Sequence, residues 1–596
     1  MCGIAGIMTT DGRPPDGHAL DELERALAHR GPDGSGRHIS GGVGMVQTRL
    51  AVIDLETGGQ PLYADKPGGG KAALVANGEI YNYIELKASM PGVPFATNSD
   101  CEPPLHLYLR HGVDFSSRLS GMYAIAIHDE DQSGDPSGGR LVLARDPFGI
   151  KPLYYSETAA GFVFASEPQA LIRAGLVEAR LDIDARDEVL QLQYTCGRRC
   201  AFQGIERLLP GETLVVERGR IAHRHRRPAL PEGQTRDISR AEALKELDRA
   251  LSHAVGRHQR SDVPYGMFLS GGIDSSALLA MMNRLNEYPV HAFTAGFDDP
   301  AVADERALAR AVAHAAGADH HEILVTERDF WRHLPAIAGT MDDPVADYAC
   351  LPTYLLAKAA RRQGLKVILC GEGGDEIFAG YGRYRRAGRL KIFGGRPMRA
   401  RGVFDGLKVF RHRPVGWRDG IMRAETEAAL SGRGRLQQAQ AADIADWLPN
   451  DLLTKLDRCL MASGVEGRVP FLDPELAGFA FLLPDRFKVK RRLGKWILRK
   501  WLETGLPKAR PFKAKRGFTV PVGPWMASHG RELGVRLAAQ TCITEICRPG
   551  AVENIYAAAG TKNSQARWTL LFYALWHRVH MEGADPAGGV FDVLEG

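Results

Sequence analysis

Residues 263–285, VPYGMFLSGGIDSSALLAMMNRL, decide the fold expected for the larger part of the chain. An apolar segment runs into a Gly-rich turn and then into an apolar helical pattern, which predicts a strand, a tight turn and a helix. Backbone N–H groups and the positive end of such a helix attract anions, and Ser270, Ser275 and Ser276 add hydroxyls. The stretch lacks the lysine of a Walker phosphate loop, and an ordinary βα turn is the alternative interpretation.

Three more short apolar segments follow, separated by long helical patterns: VHAFTAGF (290–297), HEILV (321–325) and LKVILCG (365–371). This alternation is typical of a parallel sheet with crossover helices. Glu372, Asp375 and Glu376 come directly after the last segment, so we expect carboxylates at the carboxyl edge of the sheet, where α/β proteins bind ligands. Carboxylates beside a triphosphate require a hard cation between them, which implies Mg²⁺.

Residues 227–244, RPALPEGQTRDISRAEAL, separate this pattern from a different one. Ser239 is a good helix N-cap with Glu242 three residues on, so a helix is expected from there to about Val255. Upstream, short β-rich segments dominate, with helical patterns near 18–30 and 103–111. The sequence therefore predicts a β-rich layered domain over 2–215 and a doubly wound α/β domain over 236–596 that ends in a helical part.

Composition and charge exclude several classes of protein. At 596 residues the chain is too long for one core, and its 76 basic and 71 acidic residues give a net charge of +5, so nucleic acid is not the expected partner. There is no apolar run of about 18 residues and no secretory signal, so we expect a cytoplasmic protein without membrane contact. The nine cysteines are dispersed without a CxxC pair, which favours reduced, mostly structural thiols.

The chain begins MCGIAGI, with a cysteine at its second position. A small buried hydrophobe is the ordinary interpretation of a single cysteine. Removal of Met1 would instead leave Cys2 with a free α-amino group, whose reference pKa of about 7.7–8.0 keeps a good fraction neutral. Such an amine can take the thiol proton directly or through a water, so one residue would supply both nucleophile and base.

Four short motifs add to this hypothesis: HRGPDG (29–34), RLAVID (49–54), ANGEIYN (76–82) and TNSDCE (97–102). Taken singly, they are ordinary turn and cap sequences. Together with Cys2 they resemble the glutamine amidotransferase domain of the N-terminal nucleophile class, over about residues 1–210. That class folds as an αββα sandwich, so the resemblance refines the layered domain predicted above.

The resemblance implies a role for each matching position. Cys2 would be the nucleophile, the Asn77 side chain and the Gly78 N–H would hold the oxyanion, and the remaining residues would bind glutamine. These are Arg49 at the substrate carboxylate, Glu79 and Asp100 at the substrate amine, and Val52 beside them.

SGGIDSS (270–276) in turn resembles the pyrophosphate loop of ATP pyrophosphatases, which split ATP into AMP and pyrophosphate. With both motifs, nearly the whole chain resembles glutamine-hydrolysing asparagine synthetase, and the match continues through 453–473, 494–507 and 513–525. The resemblance implies that ammonia freed at Cys2 crosses an internal channel and displaces AMP from an acyl-adenylate, most simply that of aspartate. ATP and Mg²⁺ are the implied cofactors, and the family is often dimeric.

The same resemblance assigns the second site. Asp274 and Asp375 would hold Mg²⁺ with pyrophosphate, Glu372 would act in adenylylation, and Lys515 would neutralise charge as the adenylate forms or collapses. The ATP-binding residues would be Phe268, Leu269, Ser270, Gly271, Gly272, Asp274, Ser275, Ala295, Cys370 and Gly371.

Two departures and three functional alternatives stay open at this point. Pro103–Pro104 stands where the family usually has helix formers, which shifts the start of that helix, and Lys513–Ala514 replaces an Arg–Lys pair. The amidated carboxylate can be aspartate or another acid of sugar or peptide biosynthesis. The third alternative is a ring-closing ligase like β-lactam synthetase, which does not use glutamine. The presence of Cys2 together with Arg49, Asn77 and Asp100 argues against it.

Overall fold

The computed structural model describes the chain except residues 1, 67–68, 132–138, 300–301, 303–304, 389–394, 431, 514–518, 559–562 and 596. Lys515, which the sequence analysis places in the second site, lies outside these described residues. Across the described ranges, no helix is long and apolar enough to cross a membrane.

Two antiparallel six-stranded sheets form the N-terminal part. The first has the order β10-β8-β9-β1-β3-β2 and the second the order β12-β11-β7-β6-β5-β4. In chain order the strands are β1 (Gly3–Thr9), β2 (Gly34–Ser40), β3 (Val43–Arg49), β4 (Leu62–Asp65), β5 (Lys71–Ile80), β6 (Gly121–Asp129), β7 (Arg140–Arg145), β8 (Tyr154–Glu157), β9 (Gly161–Ala165), β10 (Glu206–Arg207), β11 (Glu212–Glu217) and β12 (Arg220–Arg226).

Alternation along β1 shows how the layers pack. Ile4 and Met8 lie in the apolar cluster between the two sheets, whereas Ala5 and Ile7 face the cluster that contains the first helix. The helices of this part are α1 (Gly17–Leu27), α2 (Tyr83–Ala88), α3 (Glu102–His111), α4 (Pro168–Arg173) and α5 (Ile183–Leu192). Helices α1 and α4 cover the first sheet, and α2 and α3 cover the second, so the predicted αββα order is confirmed.

A five-stranded parallel sheet of order β15-β14-β13-β16-β17 forms the core of the second part. Its strands are β13 (Tyr265–Phe268), β14 (His291–Phe297), β15 (Asp319–Val325), β16 (Val367–Leu369) and β17 (Glu466–Arg468). The first four match the predicted segments, and β15 begins two residues before the predicted start. The sequence analysis missed β17, because a three-residue strand with a buried Glu and a buried Arg has no apolar pattern.

Helices surround this sheet and fill the C-terminal region. The predicted capping box is confirmed: Glu242 N–H donates to Ser239 Oγ, and α6 continues to His258. The remaining helices are α6 (Arg240–His258), α7 (Ile273–Leu285), α8 (Arg306–Ala315), α9 (Glu327–Thr340), α10 (Cys350–Arg362), α11 (Gly374–Ile377), α12 (Gly382–Ala387), α13 (Asp419–Ala429), α14 (Arg435–Ala442), a π-helical segment (Asp443–Leu453), α15 (Thr454–Met461), α16 (Pro474–Leu482), α17 (Asp485–Lys488), α18 (Trp496–Gly505), α19 (Val522–Ser528), α20 (Gly530–Ala538), α21 (Thr541–Thr544), α22 (Ala551–Ala557), α23 (Ser564–His580) and α24 (Val590–Glu595).

The Pro103–Pro104 pair lies in the first turn of α3, which begins at Glu102. Proline is tolerated there because the first N–H groups of a helix have no intrahelical acceptor. Asp100 therefore stays two residues ahead of the helix, at the position the sequence analysis expects.

Candidate functional site

Cys2 lies directly before β1 and is 7% exposed. Its backbone N–H donates to Asn77 Oδ1 at 3.1 Å, and its carbonyl oxygen accepts from Arg30 Nε at 3.2 Å. Burial raises the pKa of the Cys2 thiol, although the positive N-terminus and the Leu50 N–H act in the opposite direction. The resting thiol is therefore neutral and needs a nearby base to become a nucleophile.

Asn77, on β5, is fully buried beside Cys2. Its Nδ2 has no hydrogen-bond partner among the described residues. Leaving a buried amide donor unpaired costs about 1–3 kcal/mol, so this group is available to an oxygen of a bound molecule.

Gly78 follows on the same strand with φ +154°, and a Cβ there would lie 2.0 Å from Met122 O. Both the backbone angle and the close approach of β6 require glycine.

The two acidic residues are held by different partners. Asp100 Oδ2 accepts from the Ile80 N–H at 2.7 Å, and burial raises the pKa of Asp100 to about 6. Glu79 Oε2 lies 3.2 Å from Arg468 Nη2, on β17 of the parallel sheet. Burial raises the pKa of Glu79 well above its ordinary value, with Glu466 adding to the effect. The sequence analysis missed Arg468, because this contact joins two distant parts of the chain.

Arg49 ends β3, and its guanidinium is held by the loop that follows. Nη2 donates to Ile53 O at 3.3 Å and also to Asp54 O. Val52, in the same loop, is 1% exposed, and its carbonyl oxygen accepts from the Asp262 N–H at 2.9 Å. The loop is thus fixed on one side by the glutamine-site arginine and on the other by the segment before β13.

A cavity of about 950 Å³ opens at the carboxyl edge of the parallel sheet. One wall of the cavity is the Ser270 loop, which runs from Ser270 to Ser275. In this loop, Ser270 Oγ lies 3.2 Å from Ser275 Oγ and accepts from the Gly272 N–H at 3.2 Å. Gly272 is the N-cap of α7, so the first N–H groups of that helix face the loop. Of the predicted ATP-binding residues, those that line the cavity are Phe268, Leu269, Ser270, Gly272, Asp274, Ser275, Ala295 and Gly371. Cys370 is 1% exposed at the end of β16.

Asp274 and Asp375 come together at one ammonium group. Lys495 Nζ forms ion pairs with Asp274 and, at 2.6 Å, with Asp375 Oδ1. Burial alone would lower the pKa of Lys495, but the two carboxylates raise it above its ordinary value. Lys495 lies in the stretch 494–507 that carries the family resemblance, but a lone lysine after glycine gives no local signal for a buried cation, so its role could not be predicted.

Glu372 also lines this cavity, and desolvation raises its pKa. Lys455 Nζ, on α15, lies 2.6 Å from Asp347 Oδ2, and both residues line the same space. The cavity therefore combines carboxylates and buried ammonium groups, a composition suited to a phosphate-bearing ligand and its cation.

Comparisons with known proteins match a family to each of the two parts of the chain. The family model for the glutamine amidotransferase domain matches residues 1–226, and the family model for asparagine synthase matches residues 246–578. Asparagine synthetase [glutamine-hydrolyzing] 1 of Bacillus subtilis (strain 168) is 31% identical over 637 residues, covering 98% of this chain and 97% of that protein. The chain belongs to the glutamine-hydrolysing asparagine synthetase family.

Two further relatives cover smaller parts of the chain. Asparagine synthetase [glutamine-hydrolyzing] 2 of the same organism is 29% identical over 551 residues, covering 85% of this chain and 70% of that protein. Amidase chry2 of Gibberella zeae is 33% identical over 414 residues, covering 65% of this chain and 60% of that protein. In this asparagine synthetase family member, Cys2 and Asn77 fall within the amidotransferase match, and Asp274 and Lys495 within the synthase match.

Proposed function

We propose that this chain hydrolyses glutamine at Cys2 and uses the ammonia to amidate a carboxylate that ATP has activated, with aspartate as the acceptor and asparagine, AMP and pyrophosphate as products. The observation that carries the proposal is the buried Nδ2 of Asn77 beside Cys2, which has no hydrogen-bond partner in the described part of the chain. A donor left without a protein acceptor in the core is suited to an oxyanion that forms during acyl transfer.

In the glutaminase half, the α-amine exposed by loss of Met1 takes the Cys2 thiol proton, and the sulfur attacks the glutamine amide carbon. The oxyanion accepts hydrogen bonds from Asn77 Nδ2 and the Gly78 N–H. The proton then passes to the leaving nitrogen, ammonia departs, and water hydrolyses the γ-glutamyl thioester to glutamate. Arg49, with Val52 beside it, would bind the substrate carboxylate, as Glu79 and Asp100 would bind its ammonium group.

In the ligase half, the acceptor carboxylate attacks the α-phosphorus of ATP, pyrophosphate leaves, and ammonia then displaces AMP from the acyl-adenylate. The Ser270 loop, from Ser270 to Ser275, would hold the phosphates. Glu372 would act in adenylylation, and Lys515 would neutralise charge as the adenylate forms or collapses. The nucleoside would lie among Phe268, Leu269, Ala295, Cys370 and Gly371.

Asp274 and Asp375 would hold Mg²⁺, which supplies charge screening for the phosphates. The donor set fits this ion, because Mg²⁺ binds a few carboxylate oxygens and keeps its other positions for water and phosphate. Both carboxylates already stabilise the positive charge of Lys495, so the site favours a cation.

We also propose two domains, 2–215 and 236–596, as a cytoplasmic homodimer. The second sheet continues to Arg226, past the predicted end at 215, and the next helix begins at Arg240, which supports extending the first domain to Arg226 with the boundary between 227 and 239. Light scattering of the purified protein tests the dimer, and fractionation of the source cells tests the location. An internal channel between the domains has a physical motive, because free ammonia is mostly protonated in neutral water and then lacks a lone pair.

One assay tests the function and the acceptor together. The protein is incubated with ATP, Mg²⁺ and glutamine, and candidate carboxylates are added one at a time while pyrophosphate and amide products are measured. Pyrophosphate and asparagine that appear in equal amounts only with aspartate support the proposal. Amidation of a sugar or peptide acid instead would indicate a ligase of sugar or peptide biosynthesis. Ring closure that does not require glutamine would indicate a ligase like β-lactam synthetase.

A further inference from the structure

A cluster of metal-binding side chains lies at the opposite edge of the parallel sheet from the Ser270 loop. His291 opens β14 and Asp319 opens β15, and the two residues are register partners in neighbouring parallel strands. His321 follows two positions later, so its side chain lies on the same face as that of Asp319. The amino-terminal edge of the sheet therefore carries a His–Asp–His group that the proposed reaction does not use.

The three side chains converge on one oxygen atom. Asp319 Oδ2 lies 2.9 Å from His291 Nδ1 and 3.1 Å from His321 Nε2, and the three atoms lie within 4.8 Å of one another. Two ligand atoms that each lie about 2.1 Å from a metal, at right angles to one another, are about 3.0 Å apart. The two nitrogen–oxygen distances at Asp319 are close to this value. The side chains are 43%, 48% and 28% exposed in chain order, so further positions are open to water.

We propose that His291, Asp319 and His321 bind one first-row transition-metal ion, of the class of Ni²⁺, Cu²⁺ or Zn²⁺. Two imidazoles and one carboxylate suit these ions, whereas Mg²⁺ and Ca²⁺ prefer oxygen donors alone. In each neutral imidazole, the nitrogen that faces Asp319 donates its lone pair to the metal. The ring proton lies on the other nitrogen, so metal binding releases no net proton. A protonated imidazole would first lose one proton, which weakens binding in acid.

Ring stacking holds the histidine rings in place. The His321 ring stacks on Phe293 with 4.8 Å between centroids, and the His291 and His321 rings are 5.8 Å apart and nearly parallel. The charged pair Arg310–Glu322 belongs to α8 and to the next position of β15, which faces the opposite side of the sheet. A site on two paired strands is more rigid than histidines on loops.

The test is a calorimetric titration of the untagged, EDTA-stripped full-length protein with NiCl₂ in excess MgCl₂. The wild type is expected to bind one ion at a saturable site that Asp319→Asn and His291→Gln/His321→Gln both lose. The matched control is His223→Gln/His225→Gln, which removes two exposed histidines at the same spacing on β12 and should keep the site. Ni²⁺ should also raise the melting temperature of the wild type and the control, but not that of the other two variants.

Saturable binding of unchanged stoichiometry and affinity in Asp319→Asn would overturn the assignment, as would a wild type that binds no ion. Should the double histidine variant fail to fold, Asp319→Asn decides alone, because it keeps the shape of the aspartate and removes its charge. Glutaminase and pyrophosphate assays on the same samples report the proposed function separately, so failure of one proposal leaves the other standing.

Discussion

At the Cys2 site, paired β-strands position the proposed reacting groups. In the cavity at the carboxyl edge of the parallel sheet, which contains the Ser270 loop, ion pairs between side chains position the charged groups. Asn77 and Gly78 lie on the buried strand β5, next to the edge strand of the second sheet, and their positions follow from its pairing with β6. Asp274 instead lies in the first turn of the long helix α7, and Asp375 in the first turn of the short helix α11. Both carboxylates contact the ammonium group of Lys495.

The difference matters for what each site must do when its substrate arrives. The Asn77 donor is already buried and has no partner among the residues that the structure describes, so the proposed oxyanion would gain a hydrogen bond without displacing one of them. In the cavity, the proposed cation would meet two carboxylates that already bind Lys495, so the lysine would have to share or leave them. We therefore expect changes at the first site to abolish one step cleanly and changes at the second to depend on charge compensation.

Cys2→Ala gives the largest expected effect. Glutamine-dependent synthesis should fall to background because no other residue can form the thioester, while synthesis from added ammonium salts should continue. The measurement is amide product with glutamine and with ammonium chloride as alternative nitrogen sources. Equal loss with both sources would contradict the separation of the two sites.

Asp274→Asn and Asp375→Asn probe the cavity. Each removes a charge from the proposed cation site at nearly constant shape, so ATP-dependent pyrophosphate release should fall by about 10²–10⁴, typical for loss of a strong electrostatic contact. Glutamate release at Cys2 should survive, apart from coupling between the domains. Both products are measured on the same samples.

The matched control for this pair is Asp182→Asn. Asp182 caps α5, and its Oδ1 accepts from the Ala185 N–H at 2.8 Å. Asparagine is an equally good cap, so this variant should keep both activities. Normal pyrophosphate release in Asp274→Asn as well would reduce Asp274 to a helix-terminal residue and remove the metal assignment.

Much of this architecture could be predicted from local sequence, and the failures share one cause. The β13 segment and the Ser239 capping box carry their signals within a few residues, and both are confirmed. Arg468 and Lys495 were missed because each is a buried cation with an anionic partner far along the chain. Strand β17 was missed because its buried Glu466 and Arg468, which pair with each other, leave no apolar pattern. Hydrophobic periodicity in a sequence predicts which apolar side chains are buried. It gives no signal for a charged residue that is buried because it forms an ion pair.

Asn77→Ala tests whether strand geometry alone supplies the oxyanion donor. Loss of one such donor should lower kcat for glutamine hydrolysis by about 10²–10³, with a smaller change in KM. Ammonium-dependent synthesis should be unaffected. Asn82→Ala is the matched control, since it removes another asparagine amide of the same domain, one that already donates to Arg118 O. Similar losses in the two variants would mean that Asn77 acts only through packing.

The smallest effect concerns pH and Asp100. Burial raises the pKa of Asp100 to about 6, and only the ionised carboxylate attracts the ammonium group of glutamine. Below that pKa, protonation of Asp100 should add about a further tenfold loss of kcat/KM for glutamine per pH unit to the loss caused by protonation of the α-amine, and Asp100→Asn should remove this added limb. An exposed control, Asp114→Asn, should keep the limb.

Stability cannot produce the same limb through Asp100. An unfolded aspartate has a pKa of about 3.9, so between that pH and about 6 the folded state binds more protons than the unfolded state at this position. The contribution of Asp100 to stability therefore rises as the pH falls through this window, while the activity falls. Melting temperatures recorded at each pH separate the two: an added limb that persists in Asp100→Asn, or one that follows the melting temperature, would assign the titration to another group.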